Sequence, residues 1–490
     1  MPYLRLSVCF VVALVAGCNK PASAPTQSYE LDITDADREG LHGPMPEHLR
    51  QPAIPQDQVR MKHLRAERLA RARSSTIEAY KKVGRTDAKW DAAAEAALEK
   101  VAIAKANDDR DVDAAEAAWE ALTKAIELGC DDPYVRYVHF NYTRAFERSA
   151  GDKKEIARVA RALRDSNYPA VRRAHAAYNF ALADAPEPTT LAQVEEAIKS
   201  ESFVAIFDLL RKALEDDVHG ATDDFVVLFN LMGGYFAKVR GTHELVYAAF
   251  RDTLGDAPEL ESVRLWLKGK YHTQRGWDAR GHDWASRVPR ANMETFQNEL
   301  ETAAAAFQEA WRLDPSRAEV AIGMMCAVGP FAEHAQVEEW FQKAMSADGD
   351  CVAACQPKAN FLAAKWGGHV EAIRQFAARL AETKNWHAGL PFEGAEILAG
   401  LSQGKSNLLA RVGKDWPAVE GVYTDFLAVR PDSRWGWSSL AKLASDTGHF
   451  KVALNACEKV NGNPSRAIFT KEEFDKCMKL ADLIVKSGGD

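Results

Sequence analysis

The densest group of chemically capable side chains lies between Tyr271 and Val288. Two His, two Asp, three Arg and two Trp share this stretch with two glycines. In one reading, His272, Asp278, Arg280 and His282 converge on a ligand, with Trp277 and Trp284 as its walls. Arg280 would hold a carboxylate or phosphate bidentately, and a histidine would act as acid or base. In the other reading, Arg280 pairs with Asp278 or clamps main-chain carbonyls, the tryptophans fill a corner between helices, and the glycines set a turn that leads into a helix near Met293. The second reading is preferred, because two His ten residues apart do not share a helix face. The first leaves an enzyme acting on an envelope polymer as the alternative function.

Other chemical signals are weaker. Ala399-Gly400-Leu401-Ser402-Gln403-Gly404-Lys405-Ser406 fits a relaxed phosphate-loop pattern. That loop needs a buried strand before it and an Asp-ended strand elsewhere, and neither is legible, so a helix over 393–401 ending in a turn is expected. There is no His-Glu-x-x-His and no Gly-x-Ser-x-Gly. Acidic pairs such as Asp108-Asp109, Asp131-Asp132 and Asp216-Asp217 read as solvated turns or helix caps. No catalytic residue, metal, nucleotide or cofactor is expected. Besides Cys18, the cysteines after the leader are Cys130, Cys326, Cys351, Cys355, Cys457 and Cys477. Cys457 and Cys477 lie on consecutive predicted helices and form a possible disulfide. A buried free thiol is the alternative for Cys457.

The N-terminus carries Arg5, an uncharged apolar run over 6–16, and Val15-Ala16-Gly17-Cys18. The run has the length of a signal-peptide core and is too short to span a bilayer. The last four residues resemble a bacterial lipobox. The resemblance implies removal of residues 1–17, lipidation of Cys18 and a lipid anchor in the bacterial cell envelope; Asn19 implies the outer membrane. Residues 18–57, interrupted by six prolines, read as a disordered tether.

Elements must position all of this, and the elements read as helices. Alanine occurs 82 times, concentrated at helical spacing, and no convincing period-2 run is present, so the fold class is all-α. Ala303-x3-Phe307-x2-Ala310-x2-Leu313-x-Pro315 recurs in phase 34 residues later at Phe341, Ala344 and Ala347. It returns at Val419-x3-Tyr423-x2-Phe426 and, nearly complete, at Trp437 to Cys457. These motifs resemble tetratricopeptide repeats. The resemblance implies a right-handed superhelical array of antiparallel helix pairs. Its C-terminal groove would be lined by Trp435, Ser438, Lys442 and Ser445, with a richly charged last helix as cap. Trp277-x-Ala-Arg-Gly and Lys365-Trp366-Gly367-Gly368 further resemble a bacterial tetratricopeptide-like family containing a domain of unknown function.

The expected organisation is a signal peptide (1–17), a tether (18–57), a divergent helical repeat region (58–290), a tetratricopeptide-like domain (291–385) and C-terminal repeats with a capping helix (386–490). A formal net charge of -8 argues against nucleic-acid coating. The balance of 47% hydrophobic and 27% charged residues excludes a disordered chain. The expected function is a non-enzymatic, lipid-anchored scaffold outside the cytoplasm that binds a protein or peptide partner, with a role in envelope assembly by analogy.

Overall fold

The computed structural model describes residues 43–147, 152–281, 287–401 and 415–489. The fold is all-α; among the described residues there is no strand, and no helix is long and apolar enough to cross a membrane. The N-terminal helices are α1 Gln58–Arg73, α2 Ala79–Val83, α3 Asp91–Lys105, α4 Val112–Glu127, α5 Pro133–Phe146, α6 Lys153–Arg164 and α7 Ala170–Asp184. They continue with α8 Leu191–Lys199, α9 Glu201–Asp216, α10 Val218–Phe236 and α11 His243–Leu254. The chain then forms α12 Glu261–Arg280, α13 Arg290–Leu313, α14 Ala318–Val328, α15 His334–Ala347, α16 Cys355–Phe361 and α17 Val370–Glu382. It ends with α18 Leu390–Leu401, α19 Trp416–Val429, α20 Arg434–Thr447, α21 Phe450–Val460 and α22 Lys471–Lys486.

Aspartates start many of these helices. Asp57, Asp111, Asp132, Asp152 and Asp217 each accept a backbone N–H at the first turn of the helix that follows, satisfying donors that have no partner inside it. Asp132 and Asp217 therefore act as the expected caps. Asp109 does not behave as a solvated turn: it is fully buried, and it takes a bond from Tyr142.

Alanine and glycine let the helices approach closely. Ala94, Ala97 and Val101 on α3 are buried against α4, where Ala115, Ala118 and Leu122 are buried too. The Phe307 ring on α13 shows the principle most sharply. A Cβ added at Gly269 on α12 would lie 2.6 Å from this ring, and one at Gly323 on α14 would lie 2.4 Å from it. The aromatic of one helix thus fills a slot made by glycines on both neighbours. Phe426 and Gly436 repeat the arrangement between α19 and α20, at 2.7 Å.

Sequential neighbours pack as pairs, among them α3 with α4, α12 with α13, α14 with α15, α17 with α18 and α20 with α21. The N-terminal helices then pack along the turns that lead into α14, α16, α18, α20 and α22. Arg317 donates to Thr222 of α10 at 3.2 Å. Arg60 donates to the Ala347 carbonyl at 2.8 Å, and Arg65 makes a fork with Asp350 at 2.6 and 2.7 Å. Asn107 donates to the His387 carbonyl at 2.6 Å. Arg430 pairs with Asp111 at 2.9 Å. Glu116, 1% exposed, accepts from Ser465 Oγ at 2.7 Å and the Ala467 N–H at 3.1 Å, and pairs with Arg434 at 2.9 Å. Each turn thus gives its polar groups to a partner more than ninety residues away.

Three expectations need correction. First, the described end of the tether, 43–57, is docked. Leu49 is buried, the Gln51 carbonyl accepts from Arg379 at 3.2 Å, and Gln56 donates to the Gly349 carbonyl at 3.0 Å. Apart from one 3-10 turn at Glu47–Leu49, the prolines leave extended backbone whose carbonyls side chains can reach. Second, the 271–288 stretch is helical as far as Arg280 and the next helix starts at Arg290. Gly276 sits inside α12, where an added Cβ would lie 3.3 Å from the Phe296 carbonyl oxygen and from Glu299; Gly281, with φ 71°, ends the helix. Third, α22 is charged but also exposes Leu480 and Leu483. The leader, Cys18 and tether residues 18–42, and residues 402–406 of the phosphate-loop-like stretch, lie outside the described residues.

Candidate functional site

Of the residues singled out in the 271–288 stretch, Trp277 and Arg280 do not converge with Asp278. Trp277 and Arg280 are three apart on α12 and share a face. Trp277 meets Phe296 at 4.8 Å and Trp366 at 6.2 Å between ring centroids, so the Trp-x-Ala-Arg-Gly and Lys-Trp-Gly-Gly elements touch each other. Gly368 is required there, since a Cβ would lie 2.0 Å from the Leu362 carbonyl oxygen. Arg280 Nη1 donates to the Gly281 carbonyl at 3.0 Å, with its guanidinium over Trp277 and Phe296. Burial lowers its pKa. Arg280 therefore clamps the end of its own helix, and it does not pair with Asp278. His282 and Trp284 lie outside the described residues.

Asp278 faces elsewhere, with Tyr271 and Arg275 on the adjoining turns of α12. These three side chains, with Arg240, His243 and Glu244 from the start of α11 and the turn before it, line an open cleft of ≈ 290 Å³. His243 Nε2 stands 3.4 Å from Asp278 Oδ2. Burial lowers the His243 pKa and Asp278 opposes it, so the ring is neutral at pH 7. Tyr271 stacks on Tyr247 with centroids 4.4 Å apart, and Arg275 lies over Tyr271 at 5.6 Å. Behind them, Glu299 accepts from His272 at 2.7 Å and pairs with Arg275 at 3.1 Å. Charges of both signs against an aromatic wall suit reversible recognition of a polar chain.

In the expected C-terminal groove, Trp435 and Ser438 are buried, whereas Lys442 and Ser445 are half-buried. Trp435 is buried within an aromatic box, 4.7 Å from Phe392 and 5.9 Å from Phe426, and its backbone N–H donates to Asp113 at 2.9 Å. At the start of α20 its side chain points back toward the preceding helices. Ser438 is fully buried and accepts from the Ser465 N–H at 2.9 Å. Lys442 pairs with Asp446 at 2.8 Å. Ser445 hydrogen-bonds the Cys477 thiol. Cys457 and Cys477 are buried free thiols close enough to perturb each other, and the Cys477 thiol faces the Ala441 carbonyl at 3.9 Å. The neighbouring Cys457, with help from Ser445 and Lys442, brings Cys477 down to about 7.

Sequence reasoning missed a second, inner cavity of ≈ 20 Å³. It is lined by Lys105, Tyr134, Tyr137, Asn141, Tyr142, Arg172 and His175. Residues 134, 137, 141 and 142 fall on one face of α5, and this polar-aromatic stripe at helical spacing is the signal that was available. Tyr142 donates to Asp109 at 2.6 Å, Lys105 pairs with Asp109 at 3.2 Å, and His175 bonds Asp224 at 2.7 Å. Burial pushes Tyr137 up to about 12 and Tyr142 well above the ordinary range, so both hydroxyls keep their protons. Burial opposes ionisation of Asp224. The His175 hydrogen bond and charge, with Arg172 and Lys105, nevertheless hold it below the usual range. Among the described residues, no group of three or more His, Cys, Asp or Glu side chains is placed to hold a metal ion.

No protein-family model matches the chain, and no curated protein matches it at a significant level.

Proposed function

We propose that the chain is a helical-repeat scaffold that binds a protein or peptide partner through the cleft beside α12. Its stacked helix pairs are read as a right-handed tetratricopeptide-like superhelix. The lipobox-like residues 15–18 support an anchor at Cys18 and a place in the bacterial cell envelope, at the outer membrane. The observation that carries the reading is the cleft itself: Arg240, Arg275, Glu244 and Asp278 surround the Tyr271 face in an open hollow of ≈ 290 Å³. A partner segment with alternating charge and an aromatic anchor would complement it.

Two observations weigh against the enzyme alternative. Arg280 is committed to the end of its own helix, and Trp277 to an aromatic cluster.

The test is capture of envelope proteins by the lipidated chain and by Arg275→Glu with Asp278→Arg. The reading expects a partner retained by the wild type and reduced at least tenfold by the double reversal. Capture that is indifferent to the reversal, or no capture at all, contradicts it.

A further inference from the structure

We propose that the inner cavity beneath α5 is a binding site for a carboxylate group, held by Tyr134 and Arg172. The inference is independent of the partner-binding reading and goes beyond it.

The argument is an accounting of donors and acceptors. Buried polar groups are almost always hydrogen-bonded, and an unmade bond costs about 1–3 kcal/mol. Most groups lining this cavity are committed. Tyr137 accepts from Asn179 and donates to the His175 carbonyl. Tyr142 and Lys105 both go to Asp109, and His175 goes to Asp224. Two donors are left over. Tyr134 is 1% exposed, and its hydroxyl has no hydrogen-bond partner among the described residues. Arg172 gives Nη2 to Ser75 at 2.6 Å, but its Nε–H is buried without a partner among the described residues. Both side chains line the same cavity.

The surplus is therefore one N–H on a cation and one O–H, so the occupant must accept. A cation would meet Arg172 and Lys105. An anionic oxygen would gain a charge-assisted bond from Arg172 in a water-poor site, where such bonds are strongest. Size sets the class. The ≈ 20 Å³ available exceeds the ~10–15 Å³ that one water needs, but leaves no room for a bulky ligand. A carboxylate of formate dimensions, the smallest of its class, is the largest that meets both conditions.

The turn from Asn107 to Arg110 prepares the site. Asp108 and Asp109 both take left-handed φ values, 50° and 57°, which non-glycine residues seldom adopt. That conformation turns the Asp109 carboxylate toward Lys105 and Tyr142. Asp109 thus offsets Lys105, and Asp224 bonds His175, which leaves the Arg172 Nε–H for the occupant.

The experiment is calorimetric titration of the full chain in detergent with sodium formate, sodium acetate and the neutral isostere acetamide, at constant ionic strength set with chloride. Tyr134→Phe keeps the ring and removes only the hydroxyl, so folding is preserved; circular dichroism verifies that. Saturable binding of formate is expected, with weaker or no binding of the larger acetate and none of acetamide. Tyr134→Phe should weaken the carboxylate by about tenfold, the equivalent of one lost hydrogen bond. Arg172→Lys, which keeps the charge but loses Nε–H, should weaken it comparably. No heat with either carboxylate would mean the cavity holds water alone and would overturn the proposal. Unchanged affinity in Tyr134→Phe would overturn it as well.

Discussion

Trp435, Asp224 and the Cys457–Cys477 pair carry the clearest consequences at the scale of single residues. Trp435→Ala empties an aromatic box shared with Phe392 and Phe426, so it should destabilise the chain by about 3–5 kcal/mol, read as a lower unfolding midpoint. A partner-facing tryptophan would instead leave stability unchanged. Asp224 offers a test by pH. Its folded pKa lies below the ordinary value, so its stabilising contribution is present above the unfolded pKa and is lost as pH falls through the folded one. Asp224→Asn should therefore cost about 1 kcal/mol at pH 7. The gap from wild type should close as pH falls below about 4. The contact between Cys457 and Cys477 makes a dithiol that a disulfide oxidant can close, with both electrons passing to that oxidant. Peptide mapping after such treatment should recover a 457–477 crosslink. Recovery of both cysteines alkylated would contradict the contact.

At the scale of elements, small residues have two roles that sequence alone did not separate. Gly323 lies 2.4 Å from the Phe307 ring through a virtual Cβ, whereas Gly233 on α10 and Gly421 on α19 have nothing within 4 Å. Gly323→Ala should cost about 1–3 kcal/mol by overpacking. Gly233→Ala and Gly421→Ala should each stabilise by about 0.5–1 kcal/mol, because alanine suits a helix interior better. Urea unfolding of the three variants checks the opposite signs. The repeat spacing around Phe307 was legible because it is local: the motif lies within one hairpin. The same local reading supplied the alternative in which Arg280 clamps carbonyls. What it could not supply was the course of α12, where Gly276 looked like a turn. A glycine inside a helix is cheap when another helix needs the room, and that need comes from Phe296 and Glu299, some twenty residues on.

For the whole molecule, the decisive contacts join residues hundreds of positions apart, and no periodicity records them. Gln51 to Arg379, Arg65 to Asp350 and Glu116 to Ser465 tie the N-terminal helices to successive turns of the C-terminal part. The docked residues 43–57 looked like a tether because their prolines report only local geometry. The cleft escaped notice for the same reason, since Arg240 and His243 meet Asp278 across two helices. Glu116→Ala would leave Arg434 without its buried partner and the Ser465 and Ala467 donors unmet, so a loss of about 3–5 kcal/mol is expected. Thermal unfolding should then change from one transition to two as the halves separate. A single unshifted transition would show that Glu116 does not join them. Partner binding through the α12 cleft is tested most directly by a photo-crosslinking side chain at Thr295, on the exposed rim of the cleft, in the lipidated chain within the envelope. The account predicts a crosslink to one defined partner segment, abolished by Arg275→Glu with Asp278→Arg. A Thr295 probe that labels nothing, or labels equally well with the cleft charges reversed, contradicts it.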